Sequence, residues 1–485
     1  MAALVVAVCG LFSCTDWLEL APEDTLSSAI YYTNTQEIFN GVMSAYNRMQ
    51  QIYLHSGRLP QLVEDASDDC NNVYWANSRV NFFNKTMDDS FGDLWRYSYE
   101  MIFRCNYMIK IIDDGNYSAI SETDKRNVQA MYGELHFMRA LGFFNLVRVY
   151  GPVPKANYVF DEPTDAFGIG RAPVAELYAD VIIPDLEVAI ANCYTKNELP
   201  SSQIGRATRG AAQTILAKVY LTPPVKDLNK AKTQLEGVIN SGMYRLQPTY
   251  ADVFEKSNKN HSESIMEIQL NPNLGQGSYY YQWMSNEAGL TNGLSGCGGA
   301  VVPSRYDFLK LLIANEERFH TAADTGGYRM NDGVPEWYFQ PMIRKFVTYN
   351  TGNVPQDHNY MFLRYADVML MYAEVLSETG GSKSTILEYV NPIRTRAKTP
   401  AWTEADVNYD DIMHERRMEL CFEGHRWFDL LRQGSAKAIA TIEAHFILME
   451  GVLPIPRRVP ENQLLFPIPL GQIQIDPTLE QNPGY

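Results

Sequence analysis

Apolar residues recur at helical spacing along most of this chain. Over 121–150, Phe137, Ala140, Leu141 and Phe144 fall at i, i+3, i+4 and i+7, which is one face of a helix. Ser121, with Asp124 three residues on, supplies an N-terminal cap, and Gly151-Pro152-Val153-Pro154 supplies a stop. The same reading predicts helices over 35–51, 93–113, 173–192, 207–221, 228–240, 362–378, 384–395 and 410–433. The 362–378 segment is apolar almost all round, with Arg364, Asp367 and Glu374 as a narrow stripe. That pattern predicts a buried helix with one paired edge. The helices come in pairs. Ala140-x-x-Phe143 and the small residues Ala207, Ala211 and Ala217 suit close helix–helix packing of the tetratricopeptide kind.

Between 240 and 359 the texture changes. Residues 263–270 (ESIMEIQL) predict a short strand, and the Gly-, Asn- and Ser-rich stretches around it predict loops. A long irregular stretch inside a folded domain is usually functional. The expected fold class is mainly α: tetratricopeptide-like helix pairs forming a right-handed superhelical scaffold, with an irregular loop-rich region carrying short strands. The expected division is a signal peptide over 1–13, a tether over 14–34 and a single body over 35–485. Within that body, 35–240 and 359–433 are mainly helical, 241–358 forms a loop-rich ligand region, and 434–485 is extended.

The N-terminal run Ala2 to Phe12 is too short to span a bilayer and suits a signal-peptide core. Leu11-Phe12-Ser13-Cys14 is similar to a bacterial lipobox, which makes Cys14 the candidate lipidated residue. No Lys or Arg precedes the run, and the alternative is an ordinary buried N-terminal segment. The net charge of −16 argues against binding nucleic acid or an anionic membrane face through bulk charge. The seven cysteines include no C-x-x-C spacing, so zinc and redox readings have no support; mostly buried free thiols are expected.

No phosphate-cradling loop, nucleophile elbow or metalloprotease helix is present. Acidic pairs such as Asp68-Asp69 read as turn residues rather than a glycosidase dyad, which would need two carboxylates set across a cleft. Two aromatic loop clusters remain. One runs Asn71-Asn72-Val73-Tyr74-Trp75-Ala76-Asn77-Ser78-Arg79; the other is Tyr279-Tyr280-Tyr281-Gln282-Trp283, with Glu336-Trp337-Tyr338 further on. Sugar rings present apolar C–H faces rimmed by hydroxyls, which flat aromatic faces and nearby amides can meet. The competing reading is that these rings anchor their loops to the core.

The densest segment is HERRMELCFEGHRWFDLLRQG, His414 to Gly434, where Glu415, Arg416, Glu419, Glu423 and Arg426 are interleaved with large apolar residues. Charges so placed need mutual pairing. They predict an internal ion-pair brace, with acid–base machinery as the other reading. The segment resembles the signature of the SusD/RagB family of outer-membrane nutrient-binding lipoproteins. Further matches are Cys14-Thr15-Asp16-Trp17-Leu18, DLWRYSYEMIFRCNYMI, GELHFMRALGFFNLVRVYGPVP (Phe143 standing where the family has Tyr), RATRGAAQTILAKVYL, LRYADVMLMYAEVLSETG, NPIRTRA, LFPIP and NPGY.

The resemblance implies four tetratricopeptide-like helix pairs and a cell-surface protein anchored in the outer membrane by lipid. It also implies oligosaccharide or polysaccharide capture and delivery to a SusC-like TonB-dependent transporter. By position, Asp68, Trp75, Asn77, Arg79, Tyr281, Trp283 and Trp337 match regions that carry ligand contacts in the family. No catalytic residue, metal or cofactor is expected. The alternatives are a glycoside hydrolase and a helical-repeat adaptor without ligand affinity.

Overall fold

The computed structural model describes residues 31–53, 59–72, 85–86, 91–119, 121–277, 301–303, 308–331, 334–346, 356–448 and 458–485. Helices α1 (Thr35–Tyr53), α2 (Leu59–Asp65), α3 (Gly92–Asp114) and α4 (Glu122–Tyr150) open the scaffold. A short helix and a π-helical turn, Tyr178–Ile182, then lead into α5 (Ile183–Asn192). After α6 (Arg209–Tyr220) and α7 (Leu228–Asn240), the chain enters strand β2 (Ser264–Ile268); strand β1 (Cys70–Asn72) lies earlier, between α2 and α3.

Sequential packing builds the stack: α1 on α3, α3 on α4, α4 on α5, α5 on α6 and α6 on α7. Helix α4 carries the predicted capping box, with Ser121 and Asp124 each satisfying the other's backbone N–H. Its second half is buried almost all round, so it forms the centre of the scaffold.

The region expected to be loop-rich holds more regular structure than its composition suggests. Strand β3 (Val301–Pro303) is followed by α8 (Phe308–Ile313), α9 (Glu316–Ala322) and an antiparallel pair, β4 (Ala323–Asn331) with β5 (Val334–Ile343). The 263–270 strand forms as β2, paired antiparallel with β6 (Tyr360–Arg364). That pairing corrects the start of the 362–378 helix. Phe362 to Arg364 belong to β6, and α10 spans Tyr365–Glu378. Its paired edge is real: Asp367 and Glu374 are buried and bound to cations.

Helix α11 (Lys383–Arg396) packs on α10. The helix predicted over 410–433 is two helices, α12 (Tyr409–Glu419) and α13 (Arg426–Arg432), joined by a corner. Phe422 and Gly424 adopt φ of 63° and 76°, which no continuing right-handed helix permits. The segment after Gly434, expected to be extended, opens with α14 (Ser435–Leu448) and later forms α15 (Leu470–Ile475). Its closing residues are held by side chains: Asn482 donates to the carbonyls of Tyr150 and Phe466. Cys70, Cys105, Cys193 and Cys421 are buried free thiols; Cys297 lies outside the described residues.

Candidate functional site

A short backbone ladder joins the strand ahead of one predicted ligand loop to the strand behind the other. Strand β1 pairs antiparallel with β3, matching Asn72 with Val301 and Cys70 with Pro303. Asn72, the last described residue before 73–84, therefore stands beside Val301, the first described residue after 278–300. Strand β3 also lies against β5, where Trp337 stands opposite Tyr328 and Tyr338 opposite Gly327. Strands β1, β3 and β5 thus meet at one edge, although they lie more than 200 residues apart in sequence at the extremes. Trp75, Asn77, Arg79, Tyr281 and Trp283 themselves lie outside the described residues, as does Cys14. Trp337 is placed as a backbone position in β5.

Asp68 is placed differently from its predicted role. Both of its oxygens are taken: Arg426 donates to them at 2.7 and 2.9 Å, and Arg417 approaches at 3.0 Å. The residue is 2% exposed. Burial alone would raise its carboxyl pKa, but Arg417 and Arg426 outweigh burial and hold it well below the usual carboxylate range. It is an internal anion at the root of β1, buried and held by two arginines. Neighbouring Asp69 accepts from Arg417 Nε. The acidic pair is therefore a fastening for β1. Sequence reasoning missed this because both partners are some 350 positions away.

Those partners come from the charged segment near the C-terminus, and the rest of that segment forms the predicted brace. Arg364, at the end of β6, donates to Glu423 Oε2 at 2.7 Å, Glu419 Oε1 at 2.8 Å and Glu263 Oε1 at 3.0 Å. Its remaining amine also reaches the Glu419 carbonyl at 2.8 Å. Arg318 and Arg396 bind Glu419 from other sides, Arg396 also binds Glu263, and Arg318 also binds Glu415. Lys345 adds its ammonium to Glu423 at 2.8 Å, and Arg394 closes the edge on Glu415.

Burial pushes the Glu419 carboxyl up, but Arg396, Arg364 and Arg318 override it and hold Glu419 far down, permanently ionised. A carboxylate so surrounded cannot exchange protons near neutral pH, so the acid–base reading of Glu419 fails on its own geometry. A second cluster continues the brace, with Arg416 binding Asp367 and Asp429, and Arg432 binding Asp429 and Glu374. Among the described residues no group of three or more His, Cys, Asp or Glu could hold a metal ion.

Residues 324–485 match the SusD family, and residues 16–221 match a family described as starch-binding and associating with the outer membrane. The chain belongs to the SusD/RagB family. It is 25% identical to SusD-like protein P2 of Formosa agariphila, over 99% of this chain and 98% of that one. It is 28% identical to a SusD-like protein of Bacteroides ovatus, over 88% of this chain and 81% of the relative. Among solved structures, a laminarin-binding SusD-like protein superposes with a TM-score of 0.77 at 24% identity, covering 94% of this chain and all of that one. A SusD superfamily protein of Parabacteroides distasonis gives 0.75 at 24% identity, covering 95% and 100%. At that identity the structures establish a common fold.

Proposed function

We propose that this chain is a non-catalytic glycan-binding protein. It captures oligosaccharides or polysaccharides at the β1–β3–β5 edge and delivers them to a SusC-like TonB-dependent transporter. The observation that supports the reading is the ladder that sets Asn72 beside Val301, with β3 in turn against β5, the strand that carries Trp337. Rigid rings set among amides and a guanidinium suit the alternating apolar and hydroxylated faces of a sugar. The laminarin-binding relative of the same fold, and a surface glycan-binding protein of Bacteroides thetaiotaomicron in complex with laminarihexaose, support this chemistry. The outer-membrane description of the family matched by residues 16–221 supports an outer-membrane location, and the lipobox-like Leu11-Phe12-Ser13-Cys14 supports Cys14 as the lipid anchor.

Trp75, Asn77, Arg79, Tyr281, Trp283 and Trp337 are the proposed contacts; Asp68 acts behind them by holding β1. The acidic pair Asp68 with Asp69 is engaged by arginines. Titration calorimetry against laminari-oligosaccharides, other glycans and peptides tests the reading. A glycan should bind, and Trp75→Ala and Trp283→Ala should each weaken it at least tenfold. Peptide binding alone, no binding, or release of reducing ends during incubation would overturn it.

A further inference from the structure

An open groove lies on the helical scaffold. Its floor is helix α3. One wall is the 154–169 segment, and the other end is closed by α15. The walls are built rather than incidental. Tyr99 Oη donates to the Pro154 carbonyl at 2.8 Å, and Asn106 Nδ2 donates to the carbonyls of Ala156 and Tyr158 at 2.9 and 3.0 Å. The Gly168 N–H donates to Asp476 at 3.0 Å, tying that wall to the end of α15.

Yet the lining is left open to water. Phe103, Tyr158, Phe167 and Ile475 are each at least half exposed. Four large apolar side chains around one concavity is a patch that soluble proteins rarely leave uncovered.

We propose that the groove is the seat of the chain's own N-terminal tether, with Trp17, Leu18 and Leu20 in it. Three observations select this occupant. First, the tether arrives at the groove's rim: Tyr32 packs edge-on against Tyr107 at 6.1 Å, and Tyr107 stacks on Phe103 at 6.4 Å. The Ser118 N–H donates to the Thr33 carbonyl at 2.8 Å, which fixes the chain's entry beside the end of α3.

Second, the length suffices. The α3 floor from Tyr107 back to Trp95 is about 18 Å long at the helical rise. The dozen residues from Ala29 back to Trp17 can span about 40 Å. Third, the chemistry matches. The 15–30 segment carries Trp17, Leu18 and Leu20 among Asp16, Glu19, Glu23 and Asp24, with no Lys or Arg. Arg48, Arg96 and Arg104 line the groove alongside Glu100, Asp161 and Asp476; Arg48 and Arg96 are ion-paired, whereas Arg104 donates to the Ser44 carbonyl and forms no ion pair among the described residues.

A docked tether would fix which face of the body turns toward the membrane, whatever ligand the β1–β3–β5 edge takes. Hydrogen exchange read by mass spectrometry tests this on the chain from residue 14, with Cys14→Ser to keep it in solution. Amides 16–20 should exchange at least tenfold more slowly than in a free peptide of the same sequence. Phe103→Asp and Phe167→Asp replace exposed rings, so the fold should persist by melting temperature while the free-peptide rate returns. Free-peptide exchange in the unsubstituted chain, or protection that survives both substitutions, overturns the proposal. So does protection of 99–107 and 154–169 that appears only when a transporter or a glycan is added.

Discussion

Arg426 grips both carboxylate oxygens of Asp68, at 2.7 and 2.9 Å, across 358 positions of sequence. This pair joins the charged C-terminal segment to the root of β1, and β1 sets where the 73–84 segment begins. The most distinctive stretch of the sequence therefore serves the candidate binding edge by holding it in place.

Removing that grip should affect both stability and binding. Arg426→Ala leaves Asp68 buried with Arg417 alone, and losing one partner of a buried pair typically costs about 3 kcal/mol or more. Chemical denaturation should show a loss of that order. Glycan affinity in calorimetry should fall even where the protein remains folded. Unchanged affinity in the folded variant would separate β1 from the ligand site.

Arg364 is the hub of the brace, binding Glu263, Glu419 and Glu423 at once. Arg364→Met leaves three buried carboxylates short of a counter-charge. The expected loss is about 4 kcal/mol or more, seen as a large drop in melting temperature or in soluble yield. Arg364→Lys should rescue little, because an ammonium cannot reproduce a fork that reaches three acids.

Gly424 sits at φ 76°, and its N–H donates to Glu64 at 2.7 Å. A Cβ there would come within 2.9 Å of the Tyr360 hydroxyl, which itself donates to the Glu423 carbonyl. Gly424→Ala should destabilise by about 2 kcal/mol from the left-handed backbone and the contact together. A melting temperature equal to that of the unsubstituted chain would show that the corner relaxes.

Glu64 predicts a pH dependence. Burial, and then the charge of Asp69, push its carboxyl up to about 8. The folded state therefore holds a proton that the unfolded chain releases near pH 4 to 5, and stability falls as pH rises between that range and about 8. Glu64→Gln keeps an oxygen for the Gly424 N–H and removes the titration. Its stability relative to the unsubstituted chain should improve from pH 5 to pH 8.5, by up to about 4 kcal/mol. Parallel stability curves would refute the shift.

Much of the scaffold was legible in the sequence because helix formation rests on local period and local caps. The α7 boundaries, the Ser121 capping box and the buried α10 edge with Asp367 and Glu374 all follow from neighbours within a few positions. The errors lie where non-local pairing wins. Phe362 to Arg364 read as helix, but β2 captures them as a ladder, and Glu419 to Glu423 turn inward toward Arg364 and Lys345 instead of continuing a helix. The helix at Ser435–Leu448 went unread among the prolines that follow it.

The sequence by itself determined the class of fold, the family and the residue types suited to a sugar. It also showed that the charges of 414–434 must be paired, because apolar neighbours forbid lone charges. Only the tertiary structure decided which partners they take. It showed Asp68 as the fastening of β1, and it brought strands β1, β3 and β5 to one edge. Those outcomes depend on distances between residues hundreds of positions apart, and long-range packing, rather than local spacing, sets such distances.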